Sequence, residues 1–406
     1  MSTPLEGQTT SPLPEARVSR SLERRLRKIL SLDDFEQAAR EHLPAPVFAY
    51  VVGGVEDNHS LRDNREAFDI YGFVPRMLVG LTGRSTQVDL FDHRWAQPFG
   101  IAPMGISALT AYRGDIVQAR AAAQANVPMI MSGSSLIRLE EVVATNPHAW
   151  FQAYLPGSET QIEPLIQRIA RAGYQTLVIT VDTPVSANRE NNVRAGFSTP
   201  LRPSLRLAWD GLSHPRWLLG TFLRTLIWHG MPHFENNFAE RGAPILSADA
   251  VRSHGDRGYL EWRHLQRIRR LWKGRLIIKG ILDRRDAIKA RDLGVDGIIV
   301  SNHGGRQLDG AVSPLRVLPG IVETCPDIPV MMDSGIRRGT DVLKALALGA
   351  RFVFVGRPFN YAAAIAGQAG VAHAISLLGQ EVARDMALLG VNQVSELATA
   401  QALVRL

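Results

Sequence analysis

Gly297-Ile-Ile-Val-Ser-Asn-His-Gly-Gly-Arg-Gln-Leu-Asp309 begins as one kind of structure and ends as another. Gly297–Ser301 is a short apolar run rich in β-branched residues, the pattern of a strand buried on both faces of a parallel sheet. Arg284–Leu293 just before it has helical periodicity, and the alternation continues in both directions along the chain. Eight such runs can be counted: Phe99–Ala102, Val127–Met131, Ala149–Tyr154, Thr176–Asp182, Arg275–Lys279, Gly297–Ser301, Ile328–Asp333 and Arg351–Gly356. Helical segments such as Asp115–Asn126, Ile162–Ala172 and Thr340–Leu348 lie between them. Strand then helix, eight times over, is the count that closes an α/β barrel of the (β/α)8 TIM type.

One interval breaks the rhythm. Asp182 and Arg275 are separated by far more than the ~30 residues of a βαβ unit. The excess predicts a long insertion after strand four, over about residues 185–260, on the face where barrels build their sites. Within it Trp217-Leu218-Leu219, Phe222-Leu223 and Leu226-Ile227-Trp228 recur at helical spacing, with Arg216 and Arg224 the only charges. That stripe either docks on the barrel or lies in a membrane interface. Ahead of the barrel, which starts at about residue 99, an N-terminal helical segment is expected. Ser31 and Asp34 make a capping-box-like start to a helix running toward Glu41; Pro44 and Pro46 interrupt, and Val47–Val51 resumes before a turn at Gly53-Gly54. The organisation expected is a flexible basic leader over 1–30 and a single domain over 31–406. Residues 1–16, rich in Ser, Thr, Pro and Gly, are expected to lack fixed structure. Arg17–Lys28 reads either as a solvated lead-in or as a helix on an acidic surface.

The totals narrow the classes. The 406 residues are 45% hydrophobic and 21% charged, ordinary for a globular chain with a sizeable core. Cys325 is the single cysteine, which rules out an intramolecular disulfide and a cysteine metal cluster, and fits a reducing compartment. A net charge of +7 suits an anionic substrate, a phosphate-bearing cofactor or an acidic membrane surface. The basic residues are dispersed without a nucleic-acid-binding signature, so no nucleic-acid partner is expected. No apolar run reaches the ~20 residues of a bilayer span, and the N-terminus lacks the apolar core of a secretory signal.

Apolar strands that each end in a polar residue suggest a shared destination. Asp182, Lys279, Ser301-Asn302-His303, Asp333 and Arg357 all fall at or just beyond strand C-termini, which in a barrel converge on one pocket. Gly335 and Gly356-Arg357 follow strands seven and eight, with Arg337-Arg338 close by. Glycines admit a close backbone approach there and Arg forks match phosphate, so a phosphorylated ligand is expected in that quarter. Neither G-x-G-x-x-G nor G-x-x-x-x-G-K-[ST] occurs, which disfavours a Rossmann site or a P-loop. His303 and Arg306, three residues apart across Gly304-Gly305, offer a proton acceptor near neutral pH and a bidentate carboxylate holder.

With these residues assembled, the chain from about Leu32 onward resembles the FMN-dependent (S)-2-hydroxy-acid dehydrogenase and oxidase family, which includes glycolate oxidase, L-lactate dehydrogenase, flavocytochrome b2 and (S)-mandelate dehydrogenase. Ser301–Asp309 matches the family signature. Gly54–Asp57, Phe151–Tyr154, Thr180–Pro184, Arg189-Glu190, Ile278–Gly280, Asp333–Gly339 and Lys344–Ala350 match further motifs in the family's order. The resemblance implies that His303 is the base, oriented by Asp182. Tyr50, Arg189 and Arg306 would bind the substrate carboxylate, and Tyr154 the hydroxyl or the developing oxo oxygen. Lys279 would sit beside flavin N1 and O2. Ser132, Gln152, Thr180 and Ser301 would make polar contacts to FMN, and Pro103, Met104 and Gly105 would pass close to its ring. Asp333, Gly335, Arg337, Gly356 and Arg357 would hold the ribityl chain and phosphate.

The departures from the pattern are informative. Asn192 replaces a common Asp, so a local ion pair is expected to be missing. Ser134 stands where glycolate oxidase has Trp, and Gly105 where it has Ala, which implies a substrate larger than glycolate. Gly105 is also the pattern of dehydrogenase members and of some oxygen-using ones. Asp210–Trp217 and His229–His233 resemble the insertion of membrane-associated mandelate and lactate dehydrogenases; Gly230 and Pro232 spoil any metal-ligand helix for the two histidines, so no metal is expected. The expectation is therefore a dehydrogenase of L-lactate or (S)-mandelate type passing electrons to a quinone or cytochrome, cytoplasmic or peripheral on the cytoplasmic membrane, and a tetramer by family analogy. An oxidase or monooxygenase using O2 is the alternative within the enzyme class. A non-catalytic flavin-binding barrel is the alternative outside it.

Overall fold

The computed structural model describes residues 19–156, 158–198, 205–247, 257–399 and 402–406. The stretch 1–16, expected to be unstructured, lies outside them. Eight strands form one sheet: β1 (Phe99–Ile101), β2 (Ile130–Ser132), β3 (Trp150–Ala153), β4 (Thr176–Thr180), β5 (Arg275–Ile281), β6 (Gly297–Val300), β7 (Val330–Met332) and β8 (Phe352–Val355). They are hydrogen-bonded in the order β1-β8-β7-β6-β5-β4-β3-β2, every pair parallel. A parallel bridge between Ile101 and Met129 brings the first strand against the second. The fold is the expected TIM barrel.

Each strand is buried along nearly its whole length, because its two faces pack against different things. Val178, Ile277, Ile299, Met331 and Phe354 point into the barrel and form an inner cluster. Their neighbours Leu177, Ile179, Ile278, Ile298 and Val353 face the helices and belong to the larger core. A hairpin of residues 88–90 and 93–95 adds Val88, Leu90 and Trp95 to the inner cluster, at the end where Trp150 begins β3. That leaves the strand C-termini as the open end.

Helices α1 (Arg20–Leu26), α2 (Leu32–His42), α3 (Ala45–Val52) and α4 (His59–Asp69) precede the barrel. The Ser31/Asp34 capping box forms, and Pro46 is accommodated in the first turn of α3, where its missing N–H matters least. The barrel's helices are α5 (Ser107–Thr110), α6 (Gly114–Gln124), α7 (Leu139–Thr145) and α8 (Glu159–Ala172). Beyond β4 come α9 (Glu190–Arg194), α10 (Leu205–Leu212), α11 (Pro215–Trp217), a π-helical turn over Leu218–Leu223 and α12 (Arg224–His229). Then follow α13 (Trp262–Leu271), α14 (Arg284–Asp292), α15 (Pro314–Thr324), α16 (Gly339–Ala347) and α17 (Arg357–Leu389).

Two expectations need amending. Among the described residues α17 is long and apolar enough to cross a membrane by length and composition. It is instead two helices meeting at a non-helical Ala366-Gly367, and it packs on α2 and α6 with Phe359, Val371 and Leu378 fully buried. The apolar stripe of the insertion, read as either docked or membrane-facing, is divided between a docked part and an exposed part. Trp217 is buried, stacks on Phe222 and donates its indole N–H to the Leu109 carbonyl at 2.8 Å. Trp209, Leu212, Leu219, Ile227 and Trp228 of the same region are each more than 60% exposed.

Candidate active site

The loop after β6 makes an abrupt turn. His303, Gly304 and Gly305 adopt φ of 58°, 69° and 72°, three left-handed residues in a row. Glycine takes this conformation freely, whereas His303 is held there against its preference, a form of strain found at functional sites. The Ser301 hydroxyl fixes the turn by accepting the His303 N–H at 3.0 Å, and the Ser334 hydroxyl accepts that of Gly304 at 3.0 Å.

The turn brings the imidazole between two partners. Its Nδ1 lies 2.9 Å from Asp182 Oδ1, and its Nε2 lies 3.3 Å from the Tyr154 hydroxyl. The Asp182 carbonyl accepts the Gln307 amide at 3.0 Å, and the Gln307 side-chain oxygen accepts from Arg189 at 2.7 Å. Burial pushes the His303 pKa down, and Asp182 only partly offsets it, so the net value is below that of an ordinary imidazole. Burial works against the Asp182 charge, but His303 and then Lys279 hold its carboxyl below the usual carboxylate range. An ionised Asp182 behind a neutral His303 is the arrangement of a general base. Burial raises the Tyr154 pKa, keeping its phenol protonated as a donor.

Register places Lys279 of β5 directly beside Thr180 of β4. The ammonium is almost fully buried, 3.0 Å from Asp333 Oδ2 and 2.8 Å from the Ser301 hydroxyl. Burial opposes its charge, yet Asp333 and Asp182 hold its pKa above the ordinary lysine value. It is a permanent cation at the floor of the site.

Tyr50, Pro103, Met104, Gly105, Tyr154, Thr180, Arg189, Lys279, His303, Arg306, Asp333, Gly335, Arg337, Gly356 and Arg357 all line one cleft at the strand C-termini. Ser132, Gln152, Ser301 and Asp182 stand behind that lining, Ser132 donating to the Gln152 side-chain oxygen at 3.2 Å. Arg306 and Arg357 are placed in the cleft but serve α3: Arg306 donates to the carbonyls of Tyr50, Val51 and Gly53, and Arg357 to those of Val51, Gly53 and Gly304. Burial lowers both guanidinium pKa values to about 10, Arg306 being further depressed by Arg357. Asn192 is buried with its side-chain oxygen lacking a protein partner.

Sequence reasoning missed Phe197, whose ring packs 4.7 Å from that of Tyr50, and Arg257, whose guanidinium lies 4.9 Å from the Tyr154 ring. Neither carries a local motif that could have flagged it. Among the described residues no group of His, Cys, Asp and Glu is assembled to hold a metal.

Two buried polar atoms, Gln152 Nε2 and Thr180 Oγ1, have no protein partner. Both lie among the residues assigned to a flavin, with the Lys279 cation alongside and the small residues Gly335 and Gly356 toward the arginines. This donor set fits FMN.

Known proteins agree. The family model for FMN-dependent dehydrogenases matches residues 39–405. An L-lactate dehydrogenase of Pseudomonas entomophila (strain L48) is 40% identical over 377 residues, covering 92% of this chain and 97% of that protein. The (S)-mandelate dehydrogenase of Pseudomonas putida is 35% identical over 371 residues, covering 91% and 93%. Among solved structures, that of a monotopic membrane protein, (S)-mandelate dehydrogenase, superposes with a TM-score of 0.87 at 34% identity, covering 93% of this chain and 99% of that one. A mandelate oxidase superposes with a TM-score of 0.75 at 36% identity, covering 92% and 98%.

Proposed function

This chain belongs to the FMN-dependent dehydrogenase family, and on that premise we propose that His303 is the base with which it oxidises an (S)-2-hydroxy acid. It is an FMN-dependent enzyme of lactate or mandelate type, converting the hydroxy acid to the 2-oxo acid. The observation that carries the assignment of roles is the Asp182–His303–Tyr154 array, a charged orienter, a neutral base and a protonated donor in one line of contacts.

Bound FMN supplies the acceptor for the two electrons that leave the substrate. Pro103, Met104, Gly105, Ser132, Gln152, Thr180, Lys279, Ser301, Asp333, Gly335, Arg337, Gly356 and Arg357 would hold it. His303 Nε2 takes the proton the substrate gives up at its second carbon or hydroxyl. Asp182 stabilises the imidazolium that results and fixes its orientation. Tyr154 donates to the substrate oxygen, while Arg189, Arg306 and Tyr50 bind the carboxylate. Lys279 holds a positive charge where negative charge accumulates. Gly105 and Ser134 form a wall of small residues: a Cβ on Gly105 would sit 3.0 Å from the Tyr50 hydroxyl and 3.3 Å from the Ser134 Cβ. That wall favours a hydroxy acid with a side chain larger than that of glycolate.

The enzyme associates peripherally with a membrane, on the cytoplasmic side and as a homo-oligomer, passing electrons to a quinone or cytochrome. The exposed Trp209, Leu219, Ile227 and Trp228 support the first of these, as does the likeness to a monotopic membrane protein. Family analogy supports the oligomer.

The test is the visible spectrum of the purified protein under anaerobic conditions, with L-lactate, (S)-mandelate and their R enantiomers added separately. Bleaching of the flavin by an S acid and not by its enantiomer is expected. Slow recolouring in air fits a dehydrogenase, whereas stoichiometric peroxide would mark an oxidase. A yellow protein that no 2-hydroxy acid bleaches would overturn the assignment.

A further inference from the structure

The described residues enclose a second cavity, of about 540 Å³, outside the cleft. Small-molecule sites typically span roughly 300–1,000 Å³. One wall is barrel: Ala108 and Arg113 around α5 and α6, and Leu136 and Ile137 after β2. The other is insertion: Thr225 and His229 of α12, then Met231 and Pro232.

The same two stretches of chain line both cavities. Gly105 faces the cleft and Ala108 the second cavity; Ser134 faces the cleft and Leu136 the second cavity. With ~3.8 Å between consecutive Cα atoms, these pairs are at most ~11 Å and ~8 Å apart. A redox partner seated there is separated from the flavin cleft only by this wall, close enough for electrons to cross without contact.

The lining selects the kind of partner. Its four arginines each have a carboxylate partner, Arg113 with Glu141 at 2.5 Å, Arg168 with Glu140 at 2.8 Å, Arg138 with Glu140 at 3.5 Å and Arg241 with Glu235 at 2.8 Å. A charged ligand gains little against such pairs, while a neutral ring with carbonyl acceptors finds the apolar Ala108, Leu136, Ile137, Met231 and Pro232 together with the His229 imidazole. The cavity borders the helix that carries the exposed apolar residues. On α12, Thr225 and His229 line the cavity, while Ile227 and Trp228 are 76% and 73% exposed. His229 Nε2 lies 2.9 Å from the Tyr112 hydroxyl.

We propose that this cavity binds the ring of a lipid-soluble quinone, the acceptor in the oxidative half of the reaction. The proposal rests on the dehydrogenase reading above and gives its electron acceptor a place. The balance is complete: the hydroxy acid loses its C2–H and O–H bonds, releasing two electrons and two protons, and forms C2=O. The quinone's two carbonyl oxygens take up two electrons and two protons as the hydroquinone.

The test uses holoenzyme, ubiquinone-1 as the probe, and two variants outside the flavin cleft. Met231→Trp fills the cavity from the insertion side, and His229→Phe removes a lining nitrogen at nearly constant size. Binding is measured by equilibrium dialysis without hydroxy acid, and turnover is measured with ubiquinone-1 and separately with ferricyanide. M231W is expected to weaken ubiquinone-1 binding and quinone-coupled turnover at least about tenfold, with ferricyanide turnover within about twofold of wild type. H229F is expected to move both quinone readouts in the same direction by a smaller factor, which guards against misfolding of the bulkier variant. Unchanged ubiquinone-1 binding in both variants overturns the proposal, as does wild-type enzyme that reduces ferricyanide but neither binds nor reduces ubiquinone-1. Failure of the underlying reading looks different: no hydroxy acid bleaches the flavin and neither acceptor is reduced, while dialysis still decides whether the cavity binds quinone.

Discussion

Asp182→Asn probes the acid–base assignment most directly. The side chain sits behind His303 with its second oxygen lacking a protein partner, so little else shares the imidazolium charge that forms during the reaction. With the two charge centres roughly 4 Å apart and an effective dielectric of about 20, their attraction is about 4 kcal/mol. At about 1.4 kcal/mol per decade, losing it lowers kcat by roughly 10³-fold. Asp182 stands behind the cleft lining, so KM for the hydroxy acid should move by no more than about threefold if only the chemical step is affected. The pH profile supplies an independent sign. Asp182 offsets the depression of the His303 pKa by burial. Without that offset the base's pKa falls further, and since the neutral base is the active form, the acid limb of kcat/KM moves to lower pH. Anaerobic stopped-flow bleaching of the flavin across pH measures both. A loss under about tenfold with full FMN content, or an acid limb that stays in place, would refute the reasoning.

Gly335→Ala puts a Cβ 2.0 Å from the Asn64 carbonyl oxygen at φ +84°, and should cost at least about 2–3 kcal/mol and the retention of FMN; an unchanged Tm and full FMN content on gel filtration would contradict this. Asp115 is buried at the start of α6, and burial raises its carboxyl to about 7. A raised carboxyl makes the fold most stable below the unfolded pKa near 4 and progressively less so as pH rises toward 7. Asp115→Asn should therefore match wild type at pH 4 and exceed it by up to roughly 4 kcal/mol at pH 8, as read by urea unfolding at both pH values. Ile227→Glu with Trp228→Glu removes two exposed apolar side chains from α12. At about 1.5–3 kcal/mol for each side chain buried in lipid, co-sedimentation with anionic vesicles should fall at least about tenfold while ferricyanide turnover persists; equal sedimentation would count against the membrane-facing assignment.

The barrel was legible in the sequence because parallel strands buried on both faces leave uninterrupted apolar runs, and Gly297–Ser301 or Thr176–Asp182 needs no partner to be recognised. The edges were less so. Val127–Met131 reads as one run, but the strand is Ile130–Ser132, with Met129 just ahead of it bridging to Ile101 and accepting the Trp150 N–H. Pro128, which has no N–H to donate, precedes it. The insertion's stripe could not be resolved at all, since helical spacing is the same for a face on protein and a face toward lipid. Trp217 proves buried and Trp228 exposed. Within the site, strand-end polar residues announced themselves through their position. Arg257 and Phe197 did not, because their contacts with Tyr154 and Tyr50 arise from chain segments that only tertiary folding brings together. That two arginines assigned to anions also hold backbone carbonyls was equally invisible.

Those carbonyls make α3 a resident competitor. The C-terminus of a helix concentrates partial negative charge, so Val51 and Gly53 already satisfy the guanidiniums that a carboxylate and a phosphate would claim. Each anion's affinity is then net of what α3 gives up, and by thermodynamic reciprocity each arrival loosens the helix's hold by the same free energy. A substitution that tightens or frays the end of α3, 253 residues before Arg306, would thereby retune two ligands that it never touches.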